Sequence, residues 1–236
     1  MTRSKKTSKI ALTRGSELMA KKRAMVFYGG WPGHYPKIIC DYSLEHFLKD
    51  FEVDVFDNLD ILTSVRLLDY DVIIPIWTVE KLTVNQEAAI ITAVEHGVGL
   101  ATWHGTADAF NDNHLFKFML GGQFICHPGD FVEYSVDISD KDHTITEGLG
   151  AFKVVSEQYF VHVDPNNHVL ATTTFKGQRY PWLAGQSCPA AWTRMWGKGR
   201  VFYQSVGHTV NELAIPEVYE MTKRGIAWAA DGRAEN

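Results

Sequence analysis

Hydrophobic positions along the chain alternate between continuous apolar runs and stretches with helical spacing. Apolar runs at residues 24–28, 71–77 and 98–103 are typical of strands buried inside a parallel sheet. Between them, residues 36–51 and the segment after Thr83 place apolar side chains three or four positions apart, as amphipathic helices do. This alternation predicts an α/β fold with a mostly parallel sheet and helices on both faces.

The helix after residue 82 has recognisable signals at both ends. Thr83 is followed three positions later by Gln86, which is the pattern of a capping box. Gly97 stands where the apolar periodicity ends, as expected of a helix stop. A helix is therefore predicted between these two signals.

The second half of the chain has a different pattern, with shorter runs in which polar residues alternate with apolar ones. Residues 131–138, 152–155 and 168–174 are predicted as strands. Two further strands flank residues 196–199, whose sequence Trp-Gly-Lys-Gly is typical of a hairpin turn. A helix at 216–230 closes the chain, so extra β-hairpins are expected in this half of the fold.

Length and charge suggest one domain behind a basic leader. The chain has 236 residues, 45% of them hydrophobic, which fits a single domain over residues 23–232 better than two equal ones. The formal net charge is −5, but residues 1–23 carry +7, which leaves −12 on the rest. Residues 1–22 are therefore predicted to be a disordered leader.

Several classes of function are disfavoured by composition. No interleaved aromatic residues or recognition motif accompany the basic leader, so a nucleic-acid partner is not expected. No apolar run approaches the roughly 20 residues that span a bilayer, and no secretory signal follows the first methionine. We therefore expect a cytoplasmic protein without a membrane partner. Its acidic, aromatic-rich surface permits a homo-oligomer.

Histidines and tryptophans follow several predicted strands. Ligands of open parallel sheets bind beyond the carboxyl ends of the strands, so these residues are expected to meet at one edge. Each also has a simpler interpretation: a loop histidine is usually solvated, and a tryptophan at a strand end usually packs under a loop. The residues that this placement selects are Gly29, Gly30, Trp31, His34, Trp77, Trp103, His104 and His208.

The residue types in this set suit a sugar. Indole faces pack against the C–H faces of sugar rings, while imidazole and carboxylate groups bond hydroxyls. The segment Ser156-Glu-Gln-Tyr159 adds such polar groups within an otherwise apolar stretch. Gly29 and Gly30 let a backbone approach a ligand closely, but they form no dinucleotide or phosphate-loop motif, so nucleotide binding is not expected.

Taken together, these motifs resemble those of the ThuA-like (trehalose utilisation) family. They occur in the same order from about residue 24 to residue 230. The matching segments are Val26-Phe-Tyr-Gly-Gly-Trp-Pro-Gly-His34, Gly99-Leu-Ala-Thr-Trp-His-Gly105, Gly121-Gly-Gln-Phe-Ile-Cys-His-Pro-Gly129, Ser156-Glu-Gln-Tyr159, Met195-Trp-Gly-Lys-Gly-Arg-Val-Phe-Tyr203 and Gly207-His208.

The resemblance implies a flavodoxin-like fold of the class I glutamine amidotransferase type. Enzymes of that type place a cysteine nucleophile at a tight turn between strand and helix, and a histidine from a late strand activates it. On this comparison the nucleophile position falls at Trp103, which has neither thiol nor hydroxyl, while His208 stands at the activating position. A glutamine amidotransferase is therefore not expected.

The resemblance instead implies metabolism of trehalose or a related disaccharide, including 3-keto sugars made by a partner sugar dehydrogenase. His34, His104, Glu157 and His208 are then expected to form the catalytic core, as acids and bases or as ligands of a divalent metal such as zinc. Trp31, Trp77, Trp103 and Tyr159 would wall the substrate site, with His127 and the two glycines beside them. The alternatives are a non-catalytic sugar-binding or regulatory module and a structural partner with no small ligand.

Overall fold

The computed structural model describes residues 21–233, and within this range eleven strands and six helices can be assigned. The strands are β1 (Arg23–Gly30), β2 (Glu52–Phe56), β3 (Val72–Thr78), β4 (Gly99–Trp103), β5 (Gly122–Cys126), β6 (Phe131–Ile138), β7 (Phe152–Glu157), β8 (Phe160–Val163), β9 (His168–Thr174), β10 (Ser187–Trp196) and β11 (Gly199–Gln204). The helices are α1 (Pro36–His46), α2 (Ile61–Ser64), α3 (Val84–Glu95), α4 (His114–Leu120), α5 (Val210–Leu213) and α6 (Pro216–Asp231).

Nine of these strands form one sheet in the order β2-β1-β3-β4-β11-β10-β9-β6-β7. The pairs from β2 through β11 are parallel, and the pairs from β11 through β7 are antiparallel. The predicted mixture of a parallel α/β sheet and later hairpins is therefore confirmed. The remaining two strands, β5 and β8, pair with each other outside the main sheet, and the apolar pattern did not predict either of them.

The parallel strands are apolar on both faces because helices cover both. Along β1, Val26 contributes to a core with α1 and α6, while its neighbour Phe27 contributes to a second core with α3 and α4. Successive side chains of a strand point to opposite faces, so each strand needs apolar residues at every position. All seven residues of β3 are buried, as the continuous run predicted.

The ends of two helices show how far the local sequence signals predicted them. The capping box of α3 is confirmed: the backbone N–H of Gln86 donates to Thr83 Oγ1 at 3.3 Å, and that of Thr83 donates to Gln86 Oε1 at 2.9 Å. The helix predicted over residues 36–51 is shorter and ends at His46. There the backbone N–H groups of Phe47 and Leu48 both donate to the carbonyl of Ser43, which closes the helix and buries their side chains.

The chain ends and the cysteines complete the description of the fold. Residues 1–20, most of the predicted leader, lie outside the described residues, whereas Lys22 pairs with Asp231. All three cysteines are free thiols; Cys40 and Cys188 are buried and Cys126 is half-buried. No helix within residues 21–233 has both the length and the apolar character needed to cross a membrane.

Candidate functional site

Three histidines and one glutamate from distant parts of the chain meet beyond the carboxyl ends of the parallel strands. His34 ends a short 3-10 turn after β1, His104 follows β4 directly, and His208 follows β11. Glu157 is the last residue of β7, which lies five strands from β4 in the sheet order. Five strand spacings would cover about 24 Å in a flat sheet, so the antiparallel half must fold back over the strand ends.

One oxygen of the glutamate is the centre of this cluster. Glu157 Oε2 lies 3.2 Å from His208 Nδ1, 3.3 Å from His104 Nε2 and 3.7 Å from His34 Nε2. His104 Nε2 also lies 3.0 Å from His208 Nδ1. The predicted catalytic core is therefore one contiguous group, and the four donor atoms all lie within 4.8 Å of one another.

Neighbouring groups fix the orientation of each imidazole. His104 Nδ1 lies 2.8 Å from the carbonyl oxygen of Ser205, and a carbonyl can only accept, so this nitrogen carries the ring proton. The lone pair of His104 Nε2 therefore faces the cluster, where the Tyr159 hydroxyl donates to it at 3.1 Å. His34 Nδ1 lies 2.7 Å from Thr78 Oγ1, which leaves Nε2 directed at the glutamate.

The backbone of His208 is held by a second buried carboxylate. Oε2 of Glu212 accepts from the backbone N–H of His208 at 2.7 Å and from that of Gly207 at 3.1 Å. Burial raises the pKa of Glu212, while these backbone hydrogen bonds act in the opposite direction. Glu212 lies four residues after His208 at the start of a short helix, so it fastens the loop that carries this histidine.

His104 occupies a strained backbone position at the turn between strand and helix. Its φ is 43°, in the left-handed region that non-glycine residues rarely adopt, whereas Trp103 is extended with φ −149°. The sharp turn of this type of fold therefore presents His104 and not Trp103, which corrects the position expected from the resemblance. A Cβ on the next residue, Gly105, would lie 2.1 Å from Thr78 Oγ1 and 2.5 Å from His34 Nδ1, so only glycine fits there.

The electrostatics of the cluster follow from burial and from the mutual hydrogen bonds. Burial by itself would raise the pKa of Glu157, but the surrounding imidazoles of His104, His208 and His34 outweigh it and hold that pKa well below its usual range. Burial lowers the pKa of His104 to about 4; the adjacent Glu157 carboxylate opposes this shift, and the neighbouring histidines add to it. The cluster thus combines an ionised carboxylate with a neutral His104 at pH 7.

A cavity of about 270 Å³ opens beside the cluster. Its floor includes His34 and Glu157, whereas His104 and His208 lie behind them. His127 reaches in from the side, with Nε2 3.8 Å from Glu157 Oε1. The cavity is lined by Trp31, His34, Val79, Asp108, Phe124, His127, Glu157 and Tyr159.

Other residues predicted to touch the substrate lie elsewhere. Trp77 and Trp103 are buried, and they line a separate void of about 20 Å³ behind the histidines, not the larger cavity. Gly29 and Gly30 face strand β3: an added Cβ would lie 2.5 Å from the ring of Trp77 and 2.0 Å from the carbonyl oxygen of Thr78. These two glycines therefore allow close packing of β1 on β3.

The sequence pattern did not assign a role to several residues that shape the site. Asp108 and Phe124 line the cavity, and the ring of Phe131 lies 4.9 Å from that of His208. Glu212 stands four positions after His208, and Asp108 four after His104, so a search for acidic residues near each histidine would have found both. Phe124 lies on β5, a strand that was itself missed.

The family model described as ThuA, trehalose utilisation, matches residues 23–229 of the chain. No curated protein matches the sequence significantly.

Among solved structures, a putative ThuA-like protein from Parabacteroides merdae superposes with a TM-score of 0.76 at 16% identity, covering 91% of both chains. One from Bacteroides uniformis has a TM-score of 0.75 at 18% identity, covering 93% of this chain and 95% of that one. A putative GMP synthase component from Thermoplasma acidophilum has a TM-score of 0.53 at 11% identity, covering 92% and 98%. At these identities the likeness establishes the fold, which agrees with the predicted amidotransferase-like class.

Proposed function

Since the chain belongs to the ThuA (trehalose utilisation) family, we propose that it is an enzyme acting on a sugar or keto-sugar bound beside Glu157. The observation that carries this proposal is the convergence of three imidazoles and one carboxylate beside an aromatic-walled cavity, with His34 and Glu157 in its floor. In this proposal a cytoplasmic sugar dehydrogenase of the same pathway supplies the keto-sugar.

The walls of the cavity support a carbohydrate ligand. Trp31, Phe124 and Tyr159 offer aromatic surface to the C–H face of a sugar ring, and Trp31 is 47% exposed. Asp108 and His127 supply groups that bond hydroxyls. The volume of about 270 Å³ is near the lower end of the range for ligand sites, about 300 Å³. We therefore expect the cavity to enclose one ring, with the rest of a disaccharide at its mouth.

The chemistry we propose is proton transfer beside a carbonyl group of the sugar. An efficient acid or base has a pKa near the working pH, and the lowered pKa of Glu157 makes that carboxylate a weak base. We therefore assign proton transfer to His127, the imidazole that lines the cavity outside the cluster, and assign Glu157 and His34 to the cluster that orients the reacting carbonyl group. His104 and His208 act from behind as positioning residues.

The experiment combines calorimetry with product analysis on a panel containing trehalose, other disaccharides and their 3-keto derivatives. The proposal expects binding and a new product with the unaltered protein, and binding without product for His34→Ala or for the positioning variant His104→Ala. Binding without product by the unaltered protein would instead support the sugar-binding module. If no sugar on the panel binds, the proposal is wrong.

A further inference from the structure

The cluster at the floor of the cavity has the donor set of a metal site. Its donor atoms are His34 Nε2, His104 Nε2, His208 Nδ1 and Glu157 Oε2. We infer that these four residues bind one divalent transition metal of the zinc type. The inference rests on the proposed function only in using the same site, because it assigns a cofactor and its test needs no sugar.

Three of the four donors already have the spacing of tetrahedral coordination. Zinc holds nitrogen and oxygen ligands at about 2.0–2.2 Å, and a tetrahedron of that size separates its corners by about 3.3 Å. The three distances that join Glu157, His104 and His208 are 3.0, 3.2 and 3.3 Å. His34 Nε2 is farther, at 3.7 Å from Glu157 Oε2, and the whole donor set lies within 4.8 Å, so the short turn that carries His34 would move inward when the ion binds.

The surrounding groups orient the rings as they do in metal sites. A metal-binding histidine usually bonds a carbonyl or another polar group through its other ring nitrogen, and this fixes the lone pair that faces the ion. The carbonyl of Ser205 has this position at His104, and the hydroxyl of Thr78 has it at His34. Glu212 fixes the backbone of His208 in addition.

Burial and charge identify the class of ion. His104, Glu157 and His208 are 2%, 7% and 6% exposed, and within residues 21–233 Glu157 pairs with imidazoles alone. A divalent cation would balance the charge of a carboxylate that lies almost entirely out of contact with water. Magnesium and calcium prefer oxygen ligands, whereas a set of three nitrogens and one oxygen suits zinc, cobalt or nickel.

Such an ion would border the bound sugar. His34 and Glu157 line the cavity, so a cation held between them and the two deeper histidines lies at the cavity wall. A metal of this type polarises a carbonyl oxygen. This explains why His104 and His208 are placed together although neither lines the cavity.

The test is metal binding by the full chain without a histidine tag, first stripped with a chelator and then titrated with zinc chloride or cobalt chloride. We expect one tightly bound ion per chain by elemental analysis, and with cobalt the visible absorption of a tetrahedral site. His208→Ala should bind at least about 100-fold more weakly because it removes a ligand, and Glu157→Gln should do the same because it replaces an anionic ligand oxygen with a neutral one. Thr78→Val should bind about 10- to 100-fold more weakly, because it removes only the partner of a ligand.

His162→Ala is the matched control, because this histidine is exposed on β8 and outside the donor set; it should bind like the unaltered chain. Equal uptake by the unaltered chain, His208→Ala and Thr78→Val would mean adventitious binding and overturn the inference, as would no uptake at all. Circular dichroism shows which variants fold. If His208→Ala and Glu157→Gln do not fold, the near-isosteric Thr78→Val still tests the inference. Formation of a new product from a sugar by the stripped protein would leave the proposed function standing after the metal inference had failed.

Discussion

The imidazoles of His104 and His208 lie side by side, with Nε2 of the first 3.0 Å from Nδ1 of the second, although 104 positions of sequence separate them. Strands β4 and β11 bring them together, because the two are parallel neighbours that end at the same edge. Each ring is edge-on to the other, with centroids 5.0 Å apart at 82°. The pair can therefore act as one unit towards Glu157.

If the two histidines act as a unit, their substitutions should not be additive. We expect His104→Ala and His208→Ala each to reduce kcat/KM severely, and the double variant to be little worse than either single one. Steady-state kinetics on the substrate found in the sugar panel measures this. Losses that multiply in the double variant would show that the two rings act independently.

Gly105 should be needed for stability and activity because a side chain there would collide with its neighbours. Gly105→Ala places a methyl group against Thr78 Oγ1 and His34 Nδ1, so it should break their hydrogen bond and lower stability by about 1–3 kcal/mol. Gly150→Ala is the control, because nothing lies within 4 Å of an added Cβ there and its φ is ordinary. Urea unfolding should show a lower stability, and kinetic assays a lower activity, for Gly105→Ala than for Gly150→Ala. Equal behaviour would contradict the described packing.

Lys117 should make stability depend on pH. It is 7% exposed, its amine donates to the carbonyl of Ala107 at 2.7 Å, and burial lowers its pKa to about 7. The unfolded chain, with a lysine pKa near 10.5, therefore binds more protons between pH 7 and 10.5, and this group makes stability rise across that window.

A lysine that must lose its proton on folding carries a penalty at neutral pH. A pKa lowered by one corresponds to about 1.4 kcal/mol, so the penalty is on the order of several kcal/mol below pH 7. The free energy of unfolding of Lys117→Met should consequently exceed that of the unaltered chain at pH 6. The gain is reduced by the loss of the hydrogen bond to Ala107, and it should vanish towards pH 10. Denaturant unfolding at both pH values measures it; an advantage that is constant with pH would refute the described burial.

Trp31 should contribute to sugar binding through its exposed ring. Trp31→Ala should weaken binding roughly 2- to 10-fold, the effect of an aromatic contact of about 0.5–1.5 kcal/mol. Trp182→Ala is a matched control, because that tryptophan is 74% exposed and does not line the cavity. Calorimetry with the best-binding sugar compares them, and an equal loss in both variants would remove Trp31 from the site.

Much of the fold could be predicted because its signals are local. The buried run of β3, the capping box at Thr83 and the hairpin at residues 196–199 each depend on neighbouring residues. Strands β5 and β8 were missed because each is short, and β8 follows β7 after only two residues. The leader prediction concerns residues outside the described range and stays a prediction.

The sequence could predict only those site residues whose positions follow directly from the order of the parallel strands. His34, His104 and His208 follow parallel strands, so their meeting follows from topology. The contribution of Glu157 depends on how the antiparallel half folds back, which no local pattern encodes. Trp77 and Trp103 also stand at strand ends, but their side chains point into the packed layer behind the histidines. The alternation of side chains along a strand does not predict the direction of a side chain where the strand turns.

The most direct test of the central claim follows the hydrogen atoms next to the carbonyl of 3-keto-trehalose in deuterium oxide by proton NMR. With zinc-treated protein we predict that these hydrogens exchange, or that the sugar is converted, far faster than in buffer, and that His34→Ala loses most of this rate. Exchange at the buffer rate with the unaltered protein, while the sugar is bound, would contradict proton transfer at this site.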